Sequence, residues 1–362
     1  MNEVPVVTPF SQKKPYLIAG PCSAESEEQL FEVANGLKNE GVQLIRAGVW
    51  KPRTRPGAFE GLGSLSLDWI TSVRKATGMP FAIEVAQPQH VDLALKAGID
   101  VLWLGARTTV NPFLVQEIAE SLQGTKVPVM VKNPVNPEVA LWIGAVERVL
   151  KAGITELAAV HRGFSVFEPG RYRNAPLWQV AIEFRQRMPQ IPLFADPSHM
   201  AGKRSMVPEL AQRALDLDYD GLMIEVHPKP EAALSDAAQQ LSLPAFAEMM
   251  SQLVVRQADI DNAEYHFRLQ ELREQIDRID RELLHLLQQR MQVVEQIGDY
   301  KRENNVAVFQ KERWAEILRS RPEWASLNSL SPSWVTALYT LIHEESIRKQ
   351  TEIVNLSKSG LD

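Results

Sequence analysis

Cysteine is nearly absent: the 362-residue chain contains one, Cys22. No intramolecular disulfide can form, so the fold must rest on its own core, and the redox setting this implies is the cytosol. A lone thiol is most often a small buried hydrophobe; otherwise it is a reactive or metal-binding group. Long apolar runs are missing too, since none approaches the ~20 residues needed to cross a bilayer. The opening stretch, MNEVPVVTPFSQKKPY, lacks the basic flank and apolar core of an export signal. A cytoplasmic protein with no membrane partner is expected. Nor is there a basic excess: 39 Lys and Arg against 45 Asp and Glu leave a net charge of −6, which argues against a nucleic-acid surface. What is present, 45% hydrophobic and 23% charged residues, is the composition of a globular protein long enough for one large and one small domain.

Glycine and proline are also unevenly scarce. After Gly221 only Gly298 and Gly360 remain, and no proline lies between Pro244 and Pro322. A turn-rich part therefore gives way to a nearly uninterrupted helical part. We place the boundary between a domain at 1–258 and a second at 259–362.

In the first part, aliphatic and β-branched runs recur at 15–20, 42–49, 80–86, 101–106, 128–134, 156–163, 192–198 and 221–227. Their near-continuous apolar character suits parallel strands covered on both faces. Amphipathic stretches separate them. Two of these end in the same junction, LALKAGIDVLW at 93–103 and RVLKAGITELA at 148–158, where a glycine closes a helix and a strand follows at once. Eight strands alternating with helices point to an α/β fold, a (β/α)8 TIM barrel. A doubly wound open sheet is the rival, but no GxGxxG follows the first strand.

Function in such a barrel sits where strands run into βα-loops. There the sequence places Arg46, Lys51, Arg53, Arg107, Lys132 and Arg162, together with Cys22, Asp196, His199, Glu225 and Asp236. Any one strand-end cation reads as a solvated rim charge, and His199 alone as a hydrogen-bonded loop residue. Six cations at one mouth of an acidic protein would repel one another without anions. Guanidinium and ammonium groups suit phosphate and carboxylate ligands. Cys22, His199, Glu225 and Asp236 form a mixed S/N/O set on strands 1, 7 and 8, fitting Mn, Fe, Co or Zn better than Ca or Mg. Strands 1 and 8 become neighbours when a barrel closes.

GPCS (20–23), the frame from Arg46 to KPRT (51–54), LGAR (104–107), DPSHMAGKR (196–204), IEVHP (224–228) and LSDAAQQL (234–241) closely resemble the smaller subclass of 3-deoxy-7-phosphoheptulonate (DAHP) synthases over roughly 15–250. The resemblance implies condensation of phosphoenolpyruvate with erythrose 4-phosphate and release of phosphate. It implies one divalent transition metal, manganese first, on Cys22, His199, Glu225 and Asp236. Phosphoenolpyruvate would be held by Arg46, Lys51, Arg107, Lys132 and Arg162, and the aldose phosphate by Arg53 and Thr54; Lys51, Cys22 and His199 would serve catalysis. Relatives that use arabinose 5-phosphate normally read KANRS where this chain has KPRT, which favours the four-carbon sugar. Two departures are His161, where many relatives have Glu, and Met200, where Pro is usual.

From about 264 to 303 the chain reads as one helix with apolar residues at 269, 272, 276, 279, 283 and 286. The same rhythm continues through 290, 293, 297 and 301, and two of those positions are Arg290 and Lys301. At ~1.5 Å per residue, ~40 residues span ~60 Å, more than a small domain is wide, so the helix must pair with a returning helix or another chain. A coiled-coil arm is the plain reading. Arg290 and Lys301, 11 residues apart, share the seam within ~20°, and a seam cation needs an anionic ligand or partner. Arg273 lies about 100° off that face.

LREQIDRID (272–280), Arg290, Lys301, VFQKER (308–313) and EESIRKQ (344–350) resemble the all-helical chorismate mutases over about 265–355. The expectation is therefore a barrel followed by an all-α domain with a long first helix, homodimeric through that domain. Two protomers interlock in that family, so Arg273 would enter the partner's pocket. Arg290 and Arg313 would bind the carboxylates of chorismate, Lys301 and Gln350 would face the ether oxygen, and Gln310 and Ser346 would line the site. Trp314 stands where several relatives place Glu. Chorismate would rearrange to prephenate, and prephenate in the helical domain would feed back on the barrel. The alternative is a dimerising effector-binding module with little turnover.

Overall fold

The computed structural model describes residues 10, 15–51, 57, 59–167, 170–257 and 259–355. Arg53 and Thr54, assigned above to the aldose phosphate, lie outside them. The chain divides into two compact units, Met1–Ala258 and Asp259–Asp362.

The first unit is a closed, all-parallel barrel in the order β1 to β8. Its strands are β1 (Tyr16–Gly20), β2 (Leu44–Ala47), β3 (Phe81–Val85), β4 (Val101–Leu104), β5 (Val129–Lys132), β6 (Leu157–His161), β7 (Leu193–Ala195) and β8 (Gly221–Glu225). Every apolar run in the sequence contains one of them. Closure pairs β1 with β8 from Tyr16–Gly221 to Gly20–Glu225, so the loop carrying Cys22 leaves the barrel beside Glu225.

Side chains alternate between two cores. Outside the strands, residues such as Leu17, Ile45, Ile83, Leu102 and Val131 pack under the helices. Inside, Ile18, Leu44, Ala82, Val101, Trp103, Met130, Ala158, Val160, Phe194 and Met223 fill the barrel. Phe10 stoppers this inner core edge-on against Tyr16 and Phe194, each with centroids 5.6 Å away. With a period of two, the residue two places beyond an inner apolar residue also points inward. Leu44, Ala82, Met130, Val160, Phe194 and Met223 are thereby followed at the C-terminal mouth by Arg46, Glu84, Lys132, Arg162, Asp196 and Glu225. His161, one position out of phase, falls in the outer layer, where its Nδ1 meets the Tyr219 hydroxyl at 2.9 Å. Gly20 permits this mouth to close. At φ 148°, any Cβ on it would sit 2.2 Å from the Arg46 carbonyl oxygen.

Among the described residues the second unit has three helices, Ala263–Glu303, Lys311–Leu327 and Pro332–Asn355. Asn262 caps the first through its side chain on Tyr265 N. Only Val294, Gly298 and Lys301 of its 41 residues are buried, all near its C-terminal end. The predicted seam residues Leu272, Ile276, Ile279, Leu283 and Leu286 are exposed.

Candidate functional sites

Asp196 organises the barrel mouth. It is fully buried as the N-cap of a short helix (Pro197–Ala201), and its Oδ1 accepts from His199 N. Its Oδ2 takes Lys132 Nζ at 2.8 Å, lies 2.8 Å from His199 Nδ1, and faces Arg46 Nη1 at 3.8 Å. Burial alone would raise its pKa, yet His199, Lys132 and Arg46 together hold the carboxyl well below the usual range. With Nδ1 turned to this carboxylate, His199 presents Nε2 to Glu225 Oε1, 3.6 Å away. This carboxylate-oriented imidazole is the usual support of a metal-binding histidine.

Glu225 is also fully buried. Arg46 Nη2 stands 3.0 Å from its Oε1, and Gln239 donates to Oε2 at 2.6 Å. Oε1 itself receives no hydrogen bond among the described residues, although it is cut off from water. The Cys22 thiol, Glu225 and Asp236 bring ligand atoms within 4.8 Å of one another, a set able to hold a metal. Burial pushes the Cys22 thiol up to about 12, with Glu225 adding to the effect against Lys51. A thiol flanked by two carboxylates loses its proton to a metal rather than to solvent. The thiol/imidazole/carboxylate donor set fits a borderline divalent transition metal. A buried carboxylate oxygen with an ion contact to Arg46 but no hydrogen bond fits it equally well.

Lys51, Glu84, Arg107, Lys132, Arg162, Arg173, His199 and Asp236 line the cavity above these groups. Lys51 Nζ donates to the Cys22 carbonyl at 3.0 Å and approaches its Sγ at 3.2 Å. Arg162 donates to Asn174 Oδ1 at 2.6 Å, and burial lowers its pKa to about 10. Arg46 lies beneath the cavity, with the Trp103 ring 5.3 Å from its guanidinium carbon. Of the cations read from the sequence, the five among the described residues converge, but they do so among carboxylates, and Arg46 and Lys132 are already paired with acids. Sequence reasoning missed Glu84, Arg173, Asn174 and Gln239, and placed Asp196 at the mouth without giving it a role. The inward phase of the strands would have found Glu84 and shown that Asp196 points into the mouth. Arg173 comes from a loop after β6. It reaches Asp236 Oδ1 at 3.1 Å and Gln239 Oε1 at 2.7 Å, so it orients both proposed carboxylate ligands.

In the helical unit, the last helix brings its 346/350 face to the first. Arg290 Nη1 donates to Ser346 Oγ at 2.8 Å. Lys301 Nζ donates to Gln350 Oε1 at 2.9 Å and to the Val308 carbonyl at 2.6 Å. Burial lowers the pKa of both cations. Arg313 lies near enough to lower Arg290 further, though its guanidinium is exposed and bonded to Glu316 at 2.6 Å. Gln310 is exposed at the start of the middle helix. Trp314 stacks on His343, rings 4.1 Å apart and 10° from parallel. Arg273 is exposed on the arm of the first helix, 17 residues from Arg290, or roughly 26 Å along the axis. It does not join the others within one chain.

Residues 10–259 match the model of the DAHP synthetase I family, and residues 272–351 that of chorismate mutase type II. A phospho-2-dehydro-3-deoxyheptonate aldolase of Thermotoga maritima is 30% identical over 237 residues, 66% of this chain and 68% of that protein. A 2-dehydro-3-deoxyphosphooctonate aldolase of Azoarcus sp. (strain BH72) is 27% identical over 261 residues, 67% of this chain and 90% of the relative. Among solved structures, the Thermotoga maritima DAHP synthase superposes with a TM-score of 0.59 at 30% identity, covering 66% and 68% of the two chains. A truncated form of the Thermotoga maritima synthase gives 0.56 at 28%, covering 66% and 86%.

Proposed function

The chain belongs to the DAHP synthetase I family and carries a chorismate mutase type II domain, a bifunctional enzyme of aromatic biosynthesis, and from that premise we propose how each site works. The carrying observation for the barrel is the grouping of Cys22, Glu225 and Asp236 ligand atoms within 4.8 Å, with His199 Nε2 3.6 Å from Glu225 Oε1, at a cavity also lined by Lys51, Arg107, Lys132 and Arg162. In this reading the four residues hold one divalent transition metal, manganese first, with Fe, Co or Zn as alternatives. When bound, such a metal supplies Lewis-acid polarisation of an aldehyde oxygen.

The chain's own groups do the rest. Lys132, Arg162, Arg107 and Lys51 receive the phosphate and carboxylate of phosphoenolpyruvate, while Arg46 holds Glu225 and Asp196 ionised from below. Fixed cations let two anionic reactants share one cavity and meet negative charge wherever it develops. Asp196 fixes the ring orientation of His199, and Arg173 with Gln239 fixes the two carboxylates. Arg53 and Thr54, which lie outside the described residues, take the phosphate of erythrose 4-phosphate in this reading. Phosphate release from phosphoenolpyruvate and erythrose 4-phosphate, with and without chelator, tests this reading. Equal rates after exhaustive metal removal would refute the metal assignment.

In the helical unit the rearrangement of chorismate to prephenate needs no nucleophile, only the folded substrate and a stabilised ether oxygen. Arg290 and Arg313 take the carboxylates, Lys301 and Gln350 the ether oxygen, and Ser346 and Gln310 line the site. The exposed apolar arm is covered by a second copy, which delivers Arg273 to the pocket. Prephenate held there inhibits the barrel through differential binding to two arrangements of the protein. Phosphate release unchanged at saturating prephenate would remove that part. The second reading, an effector-binding module with little turnover, rests on Trp314 standing where several relatives place Glu. Chorismate consumption by wild type and by Lys301→Ala separates the two readings, since a pure sensor turns over in neither. A lone buried cysteine and phosphorylated substrates support a cytoplasmic location.

A further inference from the structure

His343 has no role in the mutase chemistry described so far, yet it stands at the centre of that site. It lies three residues before Ser346 and seven before Gln350, so all three project from one face of the last helix. Its electrostatic neighbours are Arg290 and Lys301, the two seam cations, with Glu344 on its own helix. Trp314 holds the imidazole flat, 4.1 Å between centroids, and Phe309 approaches edge-on at 6.1 Å. The ring cannot turn without breaking the stack. Its Nε2 is cut off from solvent and meets no hydrogen-bond partner among the described residues. A buried polar atom without a partner is costly, and one at a binding site marks a contact left for a ligand.

We propose that His343, presented by Trp314, is a specificity-determining residue that hydrogen-bonds the ring hydroxyl of chorismate. This rests on the reading of the helical unit as a chorismate pocket and extends it. The two carboxylates of the ligand are met by guanidinium groups and its ether oxygen by Lys301 and Gln350, which leaves the hydroxyl as the one polar group unassigned. A neutral imidazole can donate to or accept from a hydroxyl. Burial and the two nearby cations lower the His343 pKa, which keeps the ring neutral at physiological pH and adds no further positive charge. The stack also gives Trp314 a positioning role, in place of the acid that several relatives carry there.

The test compares chorismate with its analogue lacking the ring hydroxyl, as competing ligands of full-length wild type, His343→Phe and His343→Asn. Phenylalanine keeps the stacked shape and removes the nitrogen; asparagine restores an amide donor and acceptor. Wild type is expected to bind the hydroxyl-bearing ligand about tenfold more tightly than the analogue. His343→Phe should erase that preference with the analogue's affinity unchanged, and His343→Asn should recover part of it. Equal losses for both ligands, or a preference that survives in His343→Phe, would overturn the hydroxyl contact. If Arg290→Ala abolishes binding of both ligands to an otherwise wild-type chain, the pocket reading stands whichever way His343 behaves. If wild type binds neither ligand, both fall together. Helical content by circular dichroism confirms that each variant folds.

Discussion

Arg273 tests the two-chain pocket most directly. Seventeen residues of unbroken helix hold it roughly 26 Å from Arg290, whereas Arg290 and Lys301 are tied within one chain to Ser346 and Gln350 of the last helix. Arg273→Ala and Lys301→Ala should each lower mutase kcat/KM by ~10²–10³, the range for losing a charged contact to a buried carboxylate or ether oxygen. In a mixed dimer, one pocket combines the intact Lys301 of the Arg273→Ala chain with the intact Arg273 of the other chain. The second pocket carries both defects. Equal mixing with free exchange makes about half the dimers mixed, and half of their pockets whole, so about one quarter of wild-type activity should return. Arg290→Ala mixed with Lys301→Ala should return none, because both residues serve the same pocket from the same chain. The assay is chorismate disappearance after co-refolding, with sedimentation confirming dimers. Activity no higher than the mean of the separate variants would refute the interlocked site.

Three other outcomes follow. Glu225→Gln removes one donor and leaves Arg46 without its nearest carboxylate, at 3.0 Å, so metal affinity measured by equilibrium dialysis should fall at least ~10-fold. Burial holds His161 down to about 3, so the unfolded chain takes up a proton near 6.5 that the folded chain refuses. Stability should be kept above pH 6.5 and lost as the pH falls below it, by about 2 kcal/mol at pH 5. His161→Phe should show a shallower loss between pH 7 and 5 in urea titrations of the barrel unit's transition. The chorismate KM should rise when salt is raised from about 0.05 to 0.5 M, because Arg290 and Arg313 are incompletely buried; a flat profile would mean these cations do not meet the carboxylates.

All eight strands, and the placement of Arg46, Lys132, Arg162 and Glu225 at their ends, were legible because β/α alternation and buried parallel strands leave a strong apolar signal. The phase within each strand was harder to read. A run such as ELAAVHRG is apolar on both faces, so nothing local shows that Arg162 points inward and His161 outward. That is settled by the pairing of Ala159 with Leu193 and Val160 with Phe194. Arg173 and Asn174 were illegible for another reason. They sit in an irregular loop brought back by the isolated bridge between Phe164 and Ala175, which has no period to read. On the long helix, the seam of 272, 276, 279, 283 and 286 was visible, and so was the need for something to cover it. Its exposure within one chain, 62% at Ile279, shows that the returning helices cover only the C-terminal third.

The two pockets handle concentrated positive charge in opposite ways. In the barrel, Arg46 and Lys132 are fully buried against Asp196 and Glu225, so the cations are neutralised within the protein and held in place before any ligand arrives. Such pairs add little net stability, because desolvation consumes most of the Coulomb gain, but breaking one strands the other charge. The arrangement therefore serves rigidity, and it suits a site that must align two phosphorylated reactants. In the helical unit, among the described residues, Arg290 and Lys301 donate to neutral oxygens, a serine hydroxyl, a glutamine amide and a backbone carbonyl. Their charge is left for the ligand to neutralise. A pocket built this way gains stability from the anion it binds, so chorismate or prephenate should order the helical unit in a way that phosphoenolpyruvate cannot order the barrel. That asymmetry suits the feedback proposed above, in which the helical unit is the sensor.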